Sequence, residues 1–360
     1  MAAKADIHQG LTVLMARFSA LGDVAMTIPV VYSVCRCNPS VRFVMVTRPS
    51  MTAMFVNAPS NLVLFGADVK GEYAGVGGMR RLARRLMEEY SPTMFADLHN
   101  VLRTHVLGFF LRMSGVTVSR LFKPRSNRRE LTRRRNKVML PLTGQRDYYR
   151  EVFKRLGLSA QPRFHGLYDG AGTSDPSLFA SVTAPKAQGE RWVGIAPFAA
   201  HQGKIYPAHL MEKVLGALQE QADGGRPLRI FLFGGGEDEE ARLNSWAAMF
   251  PASVSLAGRR LGFAVELALL NHMDVVLSMD SGNMHLAAIA GAPTLSIWGA
   301  THPYCGFRAW RQGDESTLQV PLECRPCSVF GNKPCHRGDY LCLTGIRPET
   351  VVAAIERYIR

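Results

Sequence analysis

Met279-Asp-Ser-Gly-Asn-Met-His-Leu-Ala-Ala-Ile-Ala-Gly291 is the stretch on which the fold turns. It closes a strand-like run, Asp274 to Ser278, and continues as a helix from about Asn283 to Ala290, ended by Gly291 with Pro293 just after. Between them lie a carboxylate (Asp280), a hydroxyl (Ser281) and a glycine (Gly282). Strand, tight turn and helix make the repeating unit of a parallel sheet, and the turn at the strand's carboxyl end is where such sheets bind ligands. Backbone N–H groups at a helix start converge on one point and, with the helix dipole, suit a diphosphate. Gly282 permits close approach, Ser281 can donate to an oxygen, and His285, one turn in, is placed to reach the same anion. The plainer reading is that Asp280 caps the helix and His285 is a satisfied interior histidine.

Outward from this point the same alternation covers the chain. Thr12 to Phe18 is an apolar run followed by Ser19-Ala-Leu-Gly-Asp23 and a helical stretch from about Val24 to Cys37. Arg42 to Thr47, Asn61 to Phe65 and Met94 to Leu98 supply further strands, with helical patterns between. Later come Trp192 to Ala196 as strand, Ala208 to Ala222 as helix, Leu228 to Phe233 as strand, then Gly234, Gly235 and Gly236 before acids at Glu237 to Glu240 that suit a helix start. Thr294 to Trp298 is another strand, and Pro348 opens an amphipathic last helix, Glu349 to Tyr358, able to pack on either domain.

These patterns predict an α/β protein with two doubly wound domains. Leu167 to Glu190, with Gly170, Gly172, Ser174, Pro176, Pro185 and Gly189, has linker composition and room for one short helix. The expected division is residues 1–175, a linker at 176–190, residues 191–346, and a C-terminal helix at 347–360. A chain of 360 residues, 47% hydrophobic and 20% charged, is long enough for two cores.

No run of 18 or more apolar residues occurs: the most apolar helix-like segment, Val101 to Val118, is broken by Arg103, His105 and Arg112. The first ten residues carry Lys4, Asp6 and His8 and lack a secretory pattern, so a cytoplasmic location is expected. Lys and Arg number 43 against 29 Asp and Glu, a net charge of +14 that attracts phosphate-bearing partners. The surplus is concentrated between Arg120 and Lys137, where Arg120, Lys123, Arg125 and Arg128 begin a block opposed only by Glu130. This block is the main anion-binding candidate. Arg80, Arg81, Arg84 and Arg85 form a second group at helical spacing, with the pattern of a solvated face. Neither group is interleaved with stacking aromatics or accompanied by a nucleic-acid-binding motif, which disfavours nucleic acid.

Two further residues join the candidates. Gly22-Asp23 follows the first strand as Asp280 follows a later one, so that two acid- or phosphate-bearing strand ends, one per domain, would face each other across a cleft. Lys204, in Gly203-Lys-Ile-Tyr-Pro207, is a compact loop cation suited to charge on a leaving phosphate. Taken singly, Asp23 reads equally as a helix cap and Lys204 as a solvated lysine.

Four segments in order, Arg17-Phe-Ser-Ala-Leu-Gly-Asp-Val24 with Thr27 and Pro29, Lys204-Ile-Tyr-Pro207, Asp280-Ser-Gly-Asn-Met-His-Leu286 and Trp298-Gly-Ala-Thr-His-Pro303, resemble the lipopolysaccharide heptosyltransferase group, glycosyltransferase family 9. The resemblance implies the GT-B architecture of two facing Rossmann-like domains, the first binding acceptor and the second nucleotide-sugar. It implies inverting transfer of a sugar, by family expectation heptose from ADP-heptose, to a lipopolysaccharide core or lipid A-type acceptor, with peripheral contact between the arginine-rich block and the anionic inner face of the inner membrane. Asp23 would then be the general base, Lys204 would contact the diphosphate, and Asp280, Ser281, Gly282 and His285 would hold the donor. Gly234 and Gly235 would lie near the nucleoside, and Gly22, Arg120, Lys123, Arg125 and Arg128 near the phosphorylated acceptor. No cofactor and no catalytic metal are implied, because Lys204 and helix N–H groups would balance the leaving charge. Ser281 stands where the family often has threonine, which preserves the hydroxyl.

Seven cysteines include Cys324-Arg-Pro-Cys327, then Cys335 and Cys342, with Cys305 and His336 nearby. The spacing suggests a structural thiol cluster, reduced or metal-held, without a catalytic role. Among rival readings, a nicotinamide-dependent oxidoreductase lacks G-x-G-x-x-G after either leading strand. A non-catalytic binder of anionic lipid or nucleic acid would account for the charge, but would not need Asp23 and Asp280 on strand ends.

Overall fold

The computed structural model describes residues 10–169 and 172–360 and divides the chain into two compact units. Lys4, Asp6, His8 and Gly170 lie outside the described residues. The first unit comprises residues up to Lys123 together with Thr143–Leu167, and the second comprises Pro124–Leu142 and Tyr168–Arg360. The basic block is therefore divided: Arg120 and Lys123 lie in the first unit, Arg125 and Arg128 in the second.

The first unit runs β1 (Thr12–Ala16), α1 (Leu21–Cys37), β2 (Arg42–Thr47), α2 (Pro49–Thr52), β3 (Leu62–Gly66), α3 (Gly75–Tyr90), β4 (Met94–Asp97), α4 (Leu102–Met113) and β5 (Thr117–Arg120). Helix α5 (Arg125–Thr132) belongs to the second unit, and α6 (Gln145–Lys154) returns to the first. The strands form one parallel sheet in the order β3-β2-β1-β4-β5, with Ala16 paired to Asp97. All five residues of β1 are buried, as a central parallel strand covered on both faces requires. Leu14, Ala16, Val44 and Phe95 from the sheet pack with Leu82, Leu86, Leu107 and Leu111 from α3 and α4.

The second unit continues with β6 (Arg191–Ala196), α7 (Ala208–Asp223), β7 (Leu228–Leu232), α8 (Glu237–Met249), β8 (Ser253–Ser255), α9 (Phe263–Asn271), β9 (Val275–Met279), α10 (Gly282–Ala290), β10 (Thr294–Ile297), β11 (Thr317–Leu318), α11 (Leu341–Thr344) and α12 (Pro348–Ile359). Its sheet is again parallel, in the order β11-β10-β9-β6-β7-β8. Gly291 ends α10 at φ +103°, a left-handed conformation that glycine adopts without penalty. Helix α12 buries Val351, Ala354 and Ile355 in this unit's core beside Val214 and Leu218 of α7. The linker-like segment packs on the second unit: Ser174 N–H donates to Asn271 Oδ1 at 2.7 Å, and Phe179 is fully buried against Trp192 and His272.

In each sheet the winding reverses at one place, between β1 and β4 in the first and between β6 and β9 in the second. Loops leaving the two strands at such a reversal diverge to opposite faces and open a crevice at the strands' carboxyl ends. Asp23 and Asp280 each follow one of those four strands.

No helix among the described residues is long and apolar enough to cross a membrane.

Candidate active site

In the first unit the reversal point gathers the loops after β1 and β4. Arg17, the residue after β1, is buried; its Nη1 donates to Leu98 O at 2.8 Å and its Nη2 lies 2.6 Å from Asp23 Oδ2. Asp23 sits at the third position of α1 and also accepts from the Ala20 N–H at 3.4 Å, so it does serve the helix start, as the plainer reading of it expects. Both contacts fall on Oδ2, and the side chain keeps 28% exposure. Tyr149 of α6 donates from its hydroxyl to Asp23 O at 3.4 Å.

His99 completes this group. Its Nδ1 accepts from Phe18 N–H at 3.4 Å, which leaves the proton of a neutral ring on Nε2, 3.4 Å from Ser19 Oγ. Burial, then the positive charges of Arg17, Lys123 and Arg103, push its pKa down to about 3, so the ring is neutral near pH 7. The fully buried Asp97 at the end of β4 accepts from the N–H groups of His99 at 3.0 Å and Asn100 at 2.7 Å and thereby fixes the loop. Lys123 Nζ donates to Asn100 O at 3.0 Å, and Arg120 Nε lies 3.9 Å from Asp97 Oδ2. Gly22 lies in the first turn of α1.

In the second unit, Asp280 and Lys204 meet. Lys204 Nζ is 2.9 Å from Asp280 Oδ2, and Thr301 Oγ1 donates to the same oxygen at 2.7 Å. Asp280 is 4% exposed, so its carboxylate is spent on this pair and not on capping α10. Ser281 is the residue before α10 and makes no side-chain cap; its Oγ lies 3.3 Å from Ser278 Oγ. Gly282 begins the helix and His285 is buried within it.

Close backbone packing seats Lys204. A Cβ on Gly203 would stand 2.9 Å from both Ala300 Cβ and Gly331 O, one on Gly299 2.5 Å from Gly203 O, and one on Gly331 2.7 Å from Lys204 Cγ. The turn after β10 is held by Arg325, which is buried and, among the described residues, has no carboxylate partner. Its guanidinium donates to Gly299 O and Val320 O at 2.6 Å, to Trp298 O at 2.9 Å, to Thr301 O at 3.0 Å and to Gln319 Oε1 at 3.1 Å.

The remaining candidates lie apart from this pair in contact terms. Gly234 and Gly235 follow β7, where the Gly235 N–H donates to Glu239 Oε2 at 2.9 Å. Arg125 is exposed on α5, whereas the Arg128 guanidinium lies over the rings of Phe307 and Phe330, 5.9 Å from each. Arg84 and Arg85 pair with Glu88 and Glu89 on the exposed side of α3, the solvated face expected there.

All seven cysteines are free thiols. Among the described residues no group of three or more His, Cys, Asp or Glu has the arrangement to hold a metal ion. The cysteine-rich loop is tied down by Arg325 and by Lys137, whose Nζ donates to Cys324 O at 2.8 Å, Pro326 O at 3.1 Å and Glu323 O at 3.2 Å.

Arg17, His99, Thr301 and Arg325 were not singled out from the sequence. Arg17 and Thr301 lie inside two of the four quoted segments. His99 follows the strand paired with β1, so strand order would have marked it. Arg325, between two cysteines, offered no signal.

The fold and these two reversal points define the class: paired Rossmann-like sheets of the GT-B type. Residues 167–335 match the family model "Glycosyltransferase family 9 (heptosyltransferase)". The resemblance to this family read from the sequence is thereby shown over those residues. Lipooligosaccharide heptosyltransferase 2 of Campylobacter jejuni is 26% identical over 87 residues, which is 24% of this chain and 26% of that protein. The matched stretch thus spans about a quarter of that relative's length.

Three solved structures extend the likeness of fold to nearly the whole chain. A family 9 glycosyl transferase from Veillonella parvula superposes with a TM-score of 0.72 at 16% identity, covering 98% of each chain. E. coli heptosyltransferase WaaC with ADP gives 0.66 at 16% identity, over 97% of this chain and 100% of that one. The iron-containing dodecameric heptosyltransferase TibC, in complex with ADP-D-β-D-heptose, gives 0.55 at 14% identity, over 98% of this chain and 77% of that one.

Proposed function

We propose that the protein is an inverting heptosyltransferase of lipopolysaccharide assembly, taking heptose from ADP-heptose to a phosphorylated core or lipid A-type acceptor. The observation that carries the reading is the buried Asp280, at the reversal point of the second sheet, holding Lys204 at 2.9 Å beside the start of α10. An ammonium has three donors, and Asp280 takes one; the others and the α10 N–H groups suit the diphosphate. The names of the similar proteins, which speak of heptosyl transfer, ADP and ADP-heptose, supply the sugar and the base.

In this reading the second unit binds donor through Lys204, Asp280, Ser281, Gly282 and His285, with Gly234 and Gly235 toward the nucleoside. The first unit binds acceptor. The acceptor hydroxyl attacks the anomeric carbon as the bond from that carbon to the diphosphate oxygen breaks, the electron pair leaves with ADP, and the hydroxyl proton passes to Asp23. Arg17 and the Ala20 amide occupy Oδ2, so Oδ1 receives the proton. Lys204 stabilises the developing charge on the diphosphate, and no divalent metal is invoked. Gly22, Arg120, Lys123, Arg125 and Arg128 are assigned to acceptor phosphates, at the cytoplasmic face of the inner membrane.

The test is thermal stabilisation by a panel of nucleoside diphosphates and ADP-heptose, in wild type and Asp280→Ala, because a ligand bound only by the native state must raise its stability. Selective stabilisation by the adenine compounds, lost in the variant, is expected. A panel that shifts nothing would sink the reading and promote the anionic-lipid or nucleic-acid binder.

A further inference from the structure

Helix α4 is buried on one side only. Thr104, Leu107, Gly108 and Leu111 face the core of the first unit. On the opposite side Leu102 is 79% exposed, Phe109 57% and Met113 73%, while Val106, half-buried at the edge of this face, packs against the core. Positions 102, 109 and 113 lie at helical intervals of seven and four, so their side chains share one outward face, bordered by Val106. Single exposed apolar residues are ordinary on a protein surface; a continuous row of large ones marks an interaction site.

The surroundings of the row indicate what covers it. Arg103 borders it on one side and His105 and Arg112 on the other, and no acid occurs from Leu102 to Met113. A protein partner's polar rim usually mixes both signs, whereas an anionic bilayer presents phosphates above acyl chains to every helix lying in its plane. At 12 residues the helix is too short to span a bilayer, but apolar row and cationic flanks have the composition of an interfacial helix. The chain's net charge of +14 favours approach to the same surface.

We propose that the outward face of α4 is a membrane-docking surface, with Leu102, Phe109 and Met113 entering the headgroup layer of an anionic leaflet and Arg103 and Arg112 on lipid phosphates. The purpose of docking rests on the glycolipid-acceptor reading; the surface itself does not. It is distinct from the residues assigned to acceptor phosphates, and it would bring the enzyme to the plane in which a lipid-anchored acceptor lies.

The experiment is flotation of the full chain with vesicles of phosphatidylglycerol and phosphatidylethanolamine, lacking any glycolipid, against vesicles of phosphatidylcholine alone. The proposal expects selective binding to the anionic vesicles, weakened about tenfold or more in Phe109→Ser/Met113→Ser and reduced by Arg112→Gln. These side chains are exposed, so folding should survive, which the melting temperature and the ADP-induced shift of each variant check. Absence of binding by the wild type, or equal binding by the double variant, overturns the proposal. So does a wild-type dimer in light scattering that the double variant converts to monomer, since the row would then be covered by a second copy. An intact ADP shift with no vesicle binding would remove the docking surface and leave the transferase reading standing.

Discussion

Lys204 Nζ lies 2.9 Å from Asp280 Oδ2, and both side chains are largely withdrawn from solvent, at 16% and 6% exposure. Removing one member of such a pair leaves the other charge buried and uncompensated, which costs on the order of 3 kcal/mol. Asp280→Ala and Lys204→Met should each lower stability by about that amount. The double substitution should cost clearly less than the sum, a non-additivity measurable by urea denaturation.

Asp23→Asn keeps the shape of the side chain and removes its ability to take a proton. Turnover of ADP-heptose should fall by about two to four orders of magnitude, the usual span of general-base contributions. The stabilisation of the protein by ADP should stay as in wild type, because the residues proposed to bind the donor are in the other unit. Equal loss of both would return Asp23 to a purely structural role at the start of α1.

Arg325 donates to four backbone carbonyls and one side-chain oxygen. Lysine in its place has three donors and no planar fork, so Arg325→Lys should leave buried acceptors unmet and destabilise by on the order of 3 kcal/mol. The turn bearing Thr301 would loosen with it. The apparent affinity for ADP is therefore expected to weaken in Arg325→Lys even at temperatures where the variant remains folded, as calorimetric titration would register.

His99 and His302 are both held neutral. Burial is the first cause in each; neighbouring cations add to it, and the pKa values fall from 6.5 to about 3 and about 4. Below pH 6.5 the unfolded chain takes up protons that these native rings refuse, so stability should decline as pH falls from about 6.5 toward about 4. For the buried His99 the slope approaches about 1.4 kcal/mol per pH unit. His99→Asn should flatten the acid limb of a plot of melting temperature against pH; an unchanged limb would remove His99 from the explanation.

The architecture was legible because apolar runs of strand length alternate with helical patterns, and Arg42–Thr47 and the Gly291 stop were placed as they occur. The short edge strands β5, β8 and β11 were not. β8 and β11 have three and two residues, too few to show a period, and β5 begins inside the apolar segment that also holds α4, which hid it. The candidate residues on strand ends were legible for the same topological reason. Arg17's grip on Asp23 and Arg325's on the Trp298–Thr301 turn were not: the first depends on the turn before α1 and on the Leu98 carbonyl 81 residues away that holds the guanidinium, and the second joins positions 24 to 27 residues apart. The basic block read as one feature separates into parts because Lys137 is drawn onto the cysteine loop.

Residues Pro124–Leu142 belong to the second unit although first-unit sequence stands on both sides of them. The chain thus crosses between units three times, and no single cut yields two self-contained pieces. A fragment beginning near Tyr168 would lack the strip that brings Lys137 to the Glu323, Cys324 and Pro326 carbonyls, while its complement would carry that strip with nothing to bind. Mixing the two fragments should therefore restore more structure than either shows alone. Gene fusions or truncations designed on a simple two-halves plan would inherit this defect.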